Sequence, residues 1–169
     1  MVWVIFLFAG TFGFYTTFTR EMEQGTINGL RLVPTPSWVI LIGKVIYGFI
    51  LMAILEIVVV PISMAMFNYS FNSHAILILL TFILGTLDLA VAGAIVSGLT
   101  MYGESKTILL PLLMFPLVLP VIIPCVVLTG KMIEGITFSA AIPELRIIAF
   151  ILTVLIVTAI LLFDYVLED

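Results

Sequence analysis

Long stretches of apolar residues dominate the chain, and a short polar segment separates each from the next. Stretches near or above ~18 residues are long enough for a helix to cross a bilayer. Judged by run length and flanking breakers, the spans lie at about 1–18, 39–65, 75–100, 107–129 and 145–166. The pattern therefore predicts an all-α polytopic membrane helical bundle with five transmembrane helices, forming one transmembrane domain over residues 1–169.

Composition supports a membrane protein and leaves no room for a soluble domain between the spans. Hydrophobic residues make up 63 % of the chain and charged residues only 9 %, whereas soluble domains carry about 25 % charged residues. The net charge of −4 says little, because the position of charges matters more than their sum in a membrane protein. No nucleic-acid partner is expected.

The longest polar interruption is the segment 19–38, between the first two spans. Its polar beginning, 19–25, leads into an amphipathic turn at 26–33, and Pro34 then stops a helix because proline lacks an amide hydrogen. We expect a cytoplasmic loop carrying a short surface helix that another protein holds.

Basic residues set the predicted orientation. The side that carries this loop also carries four basic residues, and the other side carries two; the six are Arg20, Arg31, Lys44 and Lys106, against Lys131 and Arg146. Because basic residues favour the cytoplasmic side, the first set is predicted to be cytoplasmic and His74 external.

The third and fourth spans carry packing signals. Small residues spaced by four on the third span predict a close helix contact: Thr86, Ala90, Ala94 and Gly98. On the fourth span Pro116, Pro120 and Pro124 are predicted to kink the helix. They free the carbonyls of Leu112, Pro116 and Pro120, which should face protein or water. Either a bent structural helix or a moving element fits this pattern.

Glu56 and Asp88 are carboxylates deep within predicted spans. An ionised Asp at a helix centre costs ~2.5–3.5 kcal/mol on insertion scales, so each should be protonated, paired or turned toward a wet cavity. The functional interpretation is a substrate or gating contact. The structural one is a carboxylic acid hydrogen-bonded to a neighbouring helix.

Other chemistry is weakly indicated. His74 could supply one ligand to haem iron or a metal but has no second ligand nearby, and Cys125 is the only cysteine, so no metal site is predicted. Gly43-Lys44 resembles the end of a phosphate-binding loop, but Val45 replaces the required Ser or Thr. The chain is not expected to be an enzyme on its own.

Two sets of residues carry a family resemblance over nearly the whole chain. The first resembles the first cytoplasmic loop of permeases in ABC-type exporters of the ABC-2 class: Phe18, Glu21, Glu23, Gly25, Thr26, Leu30, Pro34 and Gly43-Lys44. The second resembles the haem exporter protein B family of cytochrome c maturation: Gly85-Thr86, Gly93-Ala94-Ile95, Ser97-Gly98-Leu99-Thr100, Leu110-Pro111-Leu112-Leu113, Pro116-Leu117 and Pro120.

This resemblance implies a six-helix permease in a prokaryotic inner membrane or an organelle inner membrane. It implies that the family's first helix is missing here, so the chain is expected to be a fragment or an incomplete gene product. The implied partners are an ABC ATP-binding subunit, haem-handling cytochrome c maturation subunits, membrane lipid and a second permease copy. Residues implied to couple to the ATPase are Arg20, Glu21, Glu23, Gly25, Thr26 and Pro34.

Haem is implied as a transported or handled ligand rather than a cofactor bound by this chain. The permease would either export haem or use ATP hydrolysis to release a haem-loaded chaperone. Two alternatives remain at this point. One is an ABC-2 exporter permease for a lipid, a drug or a polysaccharide, and the other is a membrane assembly scaffold that transports nothing.

Overall fold

The chain folds into five helices, seen in a computed structural model that describes residues 2–23, 36–71, 75–100 and 106–168. They are α1 (Val2–Glu23), α2 (Ser37–Phe67), α3 (Ala75–Thr100), α4 (Lys106–Glu134) and α5 (Phe138–Glu168). The described ranges contain helices and no strand. The predicted all-α membrane bundle is confirmed.

Four of the helices, α2 to α5, contain apolar stretches long enough to cross a membrane. Within the described side chains of α1, the apolar stretch is shorter and covers Val2–Phe14. In the residues that the structure describes, the bundle therefore contains four helices with a membrane-length apolar stretch, packed together with α1. Their length is what a bilayer demands, because a spanning segment must satisfy its own backbone hydrogen bonds.

Three helices extend beyond the predicted spans, because polar residues do not end a helix by themselves. α1 continues through Glu23, so Arg20, Glu21 and Glu23 extend the first helix instead of opening a loop. α4 continues to Glu134, and α5 starts at Phe138. The remainder of the predicted coupling segment, 24–35, lies outside the described residues, as does His74.

The helix ends follow from local backbone chemistry. Pro36 precedes α2 in an extended conformation, and its carbonyl accepts a hydrogen bond from Val39 N at 3.0 Å. α2 ends at Asn68, whose left-handed φ of 49° is tolerated by asparagine. Gly135, with a φ of 83°, ends α4 and allows the tight turn into α5.

α3 is the central helix and contacts each of the other four. Every side chain from Asp88 to Gly98 is buried. By contrast, α2 and α5 expose large apolar side chains along most of their length, as lipid-facing helices do. Because lipid gives no hydrophobic drive for helix association, α3 must hold the bundle by close packing and polar pairing.

α4 runs as one unbroken helix through Pro111, Pro116, Pro120 and Pro124. Its core side carries Leu110, Met114 and Val118, whereas Pro116 and Pro120 are exposed. The three residues whose carbonyls the prolines free thus lie on the outer side of the bundle. The expectation that these carbonyls face protein or water stays a prediction. The predicted kink stays a prediction.

Candidate intramembrane polar site

The polar residues of the membrane interior are positioned by α3. Thr86 is fully buried, and its hydroxyl donates a hydrogen bond to the Glu56 carboxylate on α2. Glu56 is itself half-buried. The contact supplies the partner that a carboxylate in lipid requires. It is also a polar link between α2 and α3.

Asp88 lies two residues after Thr86 on α3, about half a helical turn, and its side chain leaves the helix in a different direction. Its side chain is fully buried, and neither carboxylate oxygen has a hydrogen-bond partner among the described residues. Thr86 and Asp88 are two positions apart, so their side chains leave α3 about 200° apart. Glu56 thus contacts α3 at Thr86, and no hydrogen bond joins it to Asp88 among the described residues.

Aromatic side chains of α1 fill spaces left by glycines of α3. A methyl group at Gly85 would lie 2.3 Å from the Trp3 ring, and one at Gly93 would lie 2.2 Å from the Phe14 ring. Both rings are buried. Neither position could carry a side chain unless the ring moved, so these glycines allow α1 to approach.

Hydrogen bonds hold α1 at two points, one to α4 and one to α3. Trp3 Nε1 donates to Thr129 Oγ1 on α4 at 2.9 Å, and Ser97 Oγ donates to the carbonyl of Phe14 at 2.9 Å. Trp3 also stacks on Phe82 with ring centroids 5.5 Å apart. α1 and α3 therefore run parallel, with the order of contacts the same along both.

Sequence reasoning missed the aromatic side of this contact. Gly85, Gly93 and Ser97 belong to the residues that carry the family resemblance, but their partners Trp3 and Phe14 were not predicted. The available signal was the order of large residues on the first span and of small residues on the third. It is weak, because Phe6, Phe8 and Phe12 offer other registers.

Every member of the predicted packing set is buried: Thr86, Ala90, Ala94 and Gly98. Of these four, Thr86 makes a hydrogen bond to another helix, through Glu56. The contacts of α3 with α1 use Gly85, Gly93 and Ser97, each of which directly precedes a member of the set in the sequence. The role of Ala94 in close packing stays a prediction.

At the opposite end from the α1 terminus Glu23, an ion pair joins α4 to α5. Lys131 Nζ lies 2.5 Å from Glu144 Oε1, across the turn at Gly135.

Cys125 is a buried free thiol. Within the residues that the structure describes, no three His, Cys, Asp or Glu side chains come together as metal ligands would.

The chain was compared with known proteins. The family model described as CcmB protein matches residues 1–165. The protein named heme exporter protein B of Pseudomonas aeruginosa is 28 % identical over 123 residues, which cover 73 % of this chain and 55 % of that protein. Its namesake in Haemophilus influenzae is 30 % identical over 123 residues, with the same coverage of 73 % and 55 %. No solved structure matches.

The chain spans about half the length of the curated relatives it matches. The family match, by contrast, extends over almost all of this chain. Membrane-length apolar helices and bacterial relatives together make it a multi-pass inner-membrane protein. On these grounds the chain belongs to the CcmB family, that of the heme exporter B proteins.

Proposed function

We propose that this chain is the transmembrane permease subunit of an ABC-type complex that acts in cytochrome c biogenesis. The complex would export haem or drive ATP-dependent release of a haem-loaded chaperone. The observation that carries the proposal is the family match over residues 1–165, supported by two relatives named heme exporter protein B.

ATP hydrolysis belongs to a separate subunit in this proposal. The chain is a transporter component and not its catalytic subunit, since its one fragment of a phosphate-binding pattern, Gly43-Lys44, lacks the following Ser or Thr. We assign the contact with the ATPase to the end of α1 and the segment after it. The residues assigned are Arg20, Glu21, Glu23, Gly25, Thr26 and Pro34.

Two carboxylates in the membrane interior support a role in the transport cycle in addition to helix packing. Asp88 is buried at the middle of the central helix without a partner among the described residues, and Glu56 is held by a neighbouring helix. Ionisable groups in spanning segments are costly and are enriched at transport pathways. We assign Asp88 and Glu56 to the part of the permease that changes during the cycle.

The proposal is tested in the native host by deleting the gene and returning it on a plasmid. Haem staining of membrane proteins should show loss and recovery of c-type cytochromes, while b-type cytochromes, which hold haem without covalent attachment, stay unchanged. Normal c-type cytochromes in the deletion strain would refute the assignment and favour an exporter of another substrate.

A second measurement separates a permease from a scaffold. A partner ATPase with an inactivated nucleotide site is expressed with the intact permease, and c-type cytochromes are stained again. A permease requires hydrolysis and should give no mature cytochrome. Full maturation with the inactive ATPase would mean that the chain acts only as an assembly scaffold.

A further inference from the structure

The outer side of α4 is apolar, exposed and interrupted by prolines. We call it the proline face, and it consists of Leu112, Phe115, Pro116, Leu119, Pro120 and Ile123. We propose that the proline face binds a membrane-spanning helix of another subunit that presents hydroxyl or amide hydrogen-bond donors. The inference stands on the surface of α4 and does not depend on the ATPase pairing proposed above.

The backbone of the proline face contains three carbonyls without their usual partners. In a helix each carbonyl accepts a hydrogen bond from the amide four residues later, and proline has no amide hydrogen. Pro116, Pro120 and Pro124 therefore leave the carbonyls of Leu112, Pro116 and Pro120 unpaired within α4. These carbonyls follow one another about 6 Å apart along the helix.

The residues that bear these carbonyls all lie outside the bundle. The Leu112 side chain is 64 % exposed, Leu119 is 46 % exposed, and Pro116 and Pro120 are exposed. The opposite side of α4 is fully packed, with Met114 buried. Pro124 is buried, so the freed carbonyls of Leu112 and Pro116 lie on the open side of α4 and that of Pro120 lies at its edge.

A lipid acyl chain cannot donate a hydrogen bond, so an unpaired carbonyl in the hydrocarbon core carries a free-energy cost. Neighbouring helices commonly remove this cost at proline sites by supplying Ser or Thr side chains. Three carbonyls at four-residue spacing match a helix that carries Ser, Thr, Asn or Gln at four-residue spacing on one face. This hydrogen-bond complementarity identifies the chemistry of the occupant.

A second copy of this chain does not supply that chemistry through the same face. The side chains of the proline face are all apolar, so pairing α4 with α4 would bring acceptors against acceptors. A helix of another subunit is therefore favoured over a second copy. A symmetric α4 pair, or a cross-link to a segment of this same protein, is an outcome that the experiment can detect and that would overturn the proposal.

The proline face lies between α1 and α5. On one flank, Leu113, Pro116 and Leu117 border a groove of about 350 Å³ whose far wall includes Thr158 and Leu162 of α5. On the other flank, Phe115 contacts Phe8 of α1 edge to face, with ring centroids 5.9 Å apart.

The experiment is photo-cross-linking in intact cells of the native host. A benzophenone amino acid replaces Leu119 on the proline face, and in a matched control it replaces Ile50, an exposed residue of α2. Cross-linked peptides are sequenced. The expected product joins position 119, but not position 50, to a spanning segment of another protein with Ser, Thr, Asn or Gln at the contact.

Restoring the backbone donors tests the chemistry. Pro116→Ala and Pro120→Ala each return one amide hydrogen to α4. Each single variant should lower the yield of the position-119 cross-link about threefold, and the double variant about tenfold. These magnitudes follow from the strength of interhelical hydrogen bonds measured in membranes. Pro61→Ala, which returns one amide on α2, should leave it unchanged. Expression and ATPase co-purification should not change in any variant, which separates this inference from the proposed function.

Three results would overturn the proposal. They are a position-119 cross-link to lipid alone, a cross-link to this same protein, whether to the same position of a second copy or to another segment, and a captured partner segment without hydrogen-bond donors. An undiminished cross-link in the Pro116→Ala/Pro120→Ala double variant would also overturn it, because the freed carbonyls would then play no part.

Discussion

The hydroxyl of Thr86 on α3 donates a hydrogen bond to the carboxylate of Glu56 on α2, inside the membrane-spanning part of the bundle. The two residues are thirty positions apart in the sequence. The contact converts Glu56 from an isolated carboxylate into one half of an interhelical pair.

Removal of the Thr86 hydroxyl should destabilise the bundle. In Thr86→Val the carboxylate loses its donor, and interhelical hydrogen bonds in membranes contribute about 0.6 kcal/mol on average and up to about 1.7 kcal/mol. Thr86→Ser keeps the hydroxyl and serves as the control. The buried Cys125 thiol reports unfolding through its reaction with a maleimide dye during heating. Equal melting temperatures for the two variants would contradict the prediction.

Gly93→Ala should be strongly unfavourable, because the new methyl group would meet the Phe14 ring at 2.2 Å. Overpacking of this kind costs about 1–3 kcal/mol. Gly43→Ala is the matched control, since nothing lies within 4 Å of a methyl group there. Adding Phe14→Leu to Gly93→Ala should recover part of the loss. A melting temperature unchanged by Gly93→Ala alone would show that Phe14 does not occupy the space.

Asp88 should matter for activity and not for folding. Asp88→Leu removes a buried carboxyl without breaking a hydrogen bond among the described residues, so we expect stability unchanged or raised. We expect the content of c-type cytochromes to fall at least about tenfold. A tenfold change corresponds to about 1.4 kcal/mol in an equilibrium. Asp88→Glu tests whether a carboxyl alone suffices. Normal cytochrome content in Asp88→Leu would make the residue structural.

The end of α1 should bind the ATPase partner. Reversing the charges of Glu21 and Glu23 to lysine should weaken co-purification of the ATPase while membrane insertion stays intact. The acidic end of α1 is expected to be attracted to a basic surface of the ATPase, and lysines at these positions would be repelled by that surface. Glu134→Lys, at the other end of the bundle, is the charge-matched control. Undiminished ATPase recovery with the double reversal would exclude this contact.

The orientation of the bundle is open to direct labelling. In a Cys125→Ser background, a cysteine at Lys106 should be protected from a membrane-impermeant maleimide in whole cells, and one at Thr137 should react. The expectation follows from the excess of basic residues on the Lys106 side. Labelling at position 106 together with protection at position 137 would show that the bundle has the opposite orientation in the membrane.

The helices could be predicted from the sequence because a bilayer imposes their length and their apolar composition. The Glu56–Thr86 pair could not, because a carboxylate within a span requires a partner without indicating which helix supplies it. The same applies to Gly85 and Gly93, since a small residue indicates close approach but not which ring fills the space. The end of α1 at Glu23 was missed because charged residues can continue a helix beyond the apolar region.

The ion pair between Lys131 and Glu144 has a mechanical consequence. It joins α4 to α5 beside the turn at Gly135, so the two helices are connected twice at this end. A separation of the two helices is therefore easier at their far ends, where Leu113 and Leu162 border the groove beside α3.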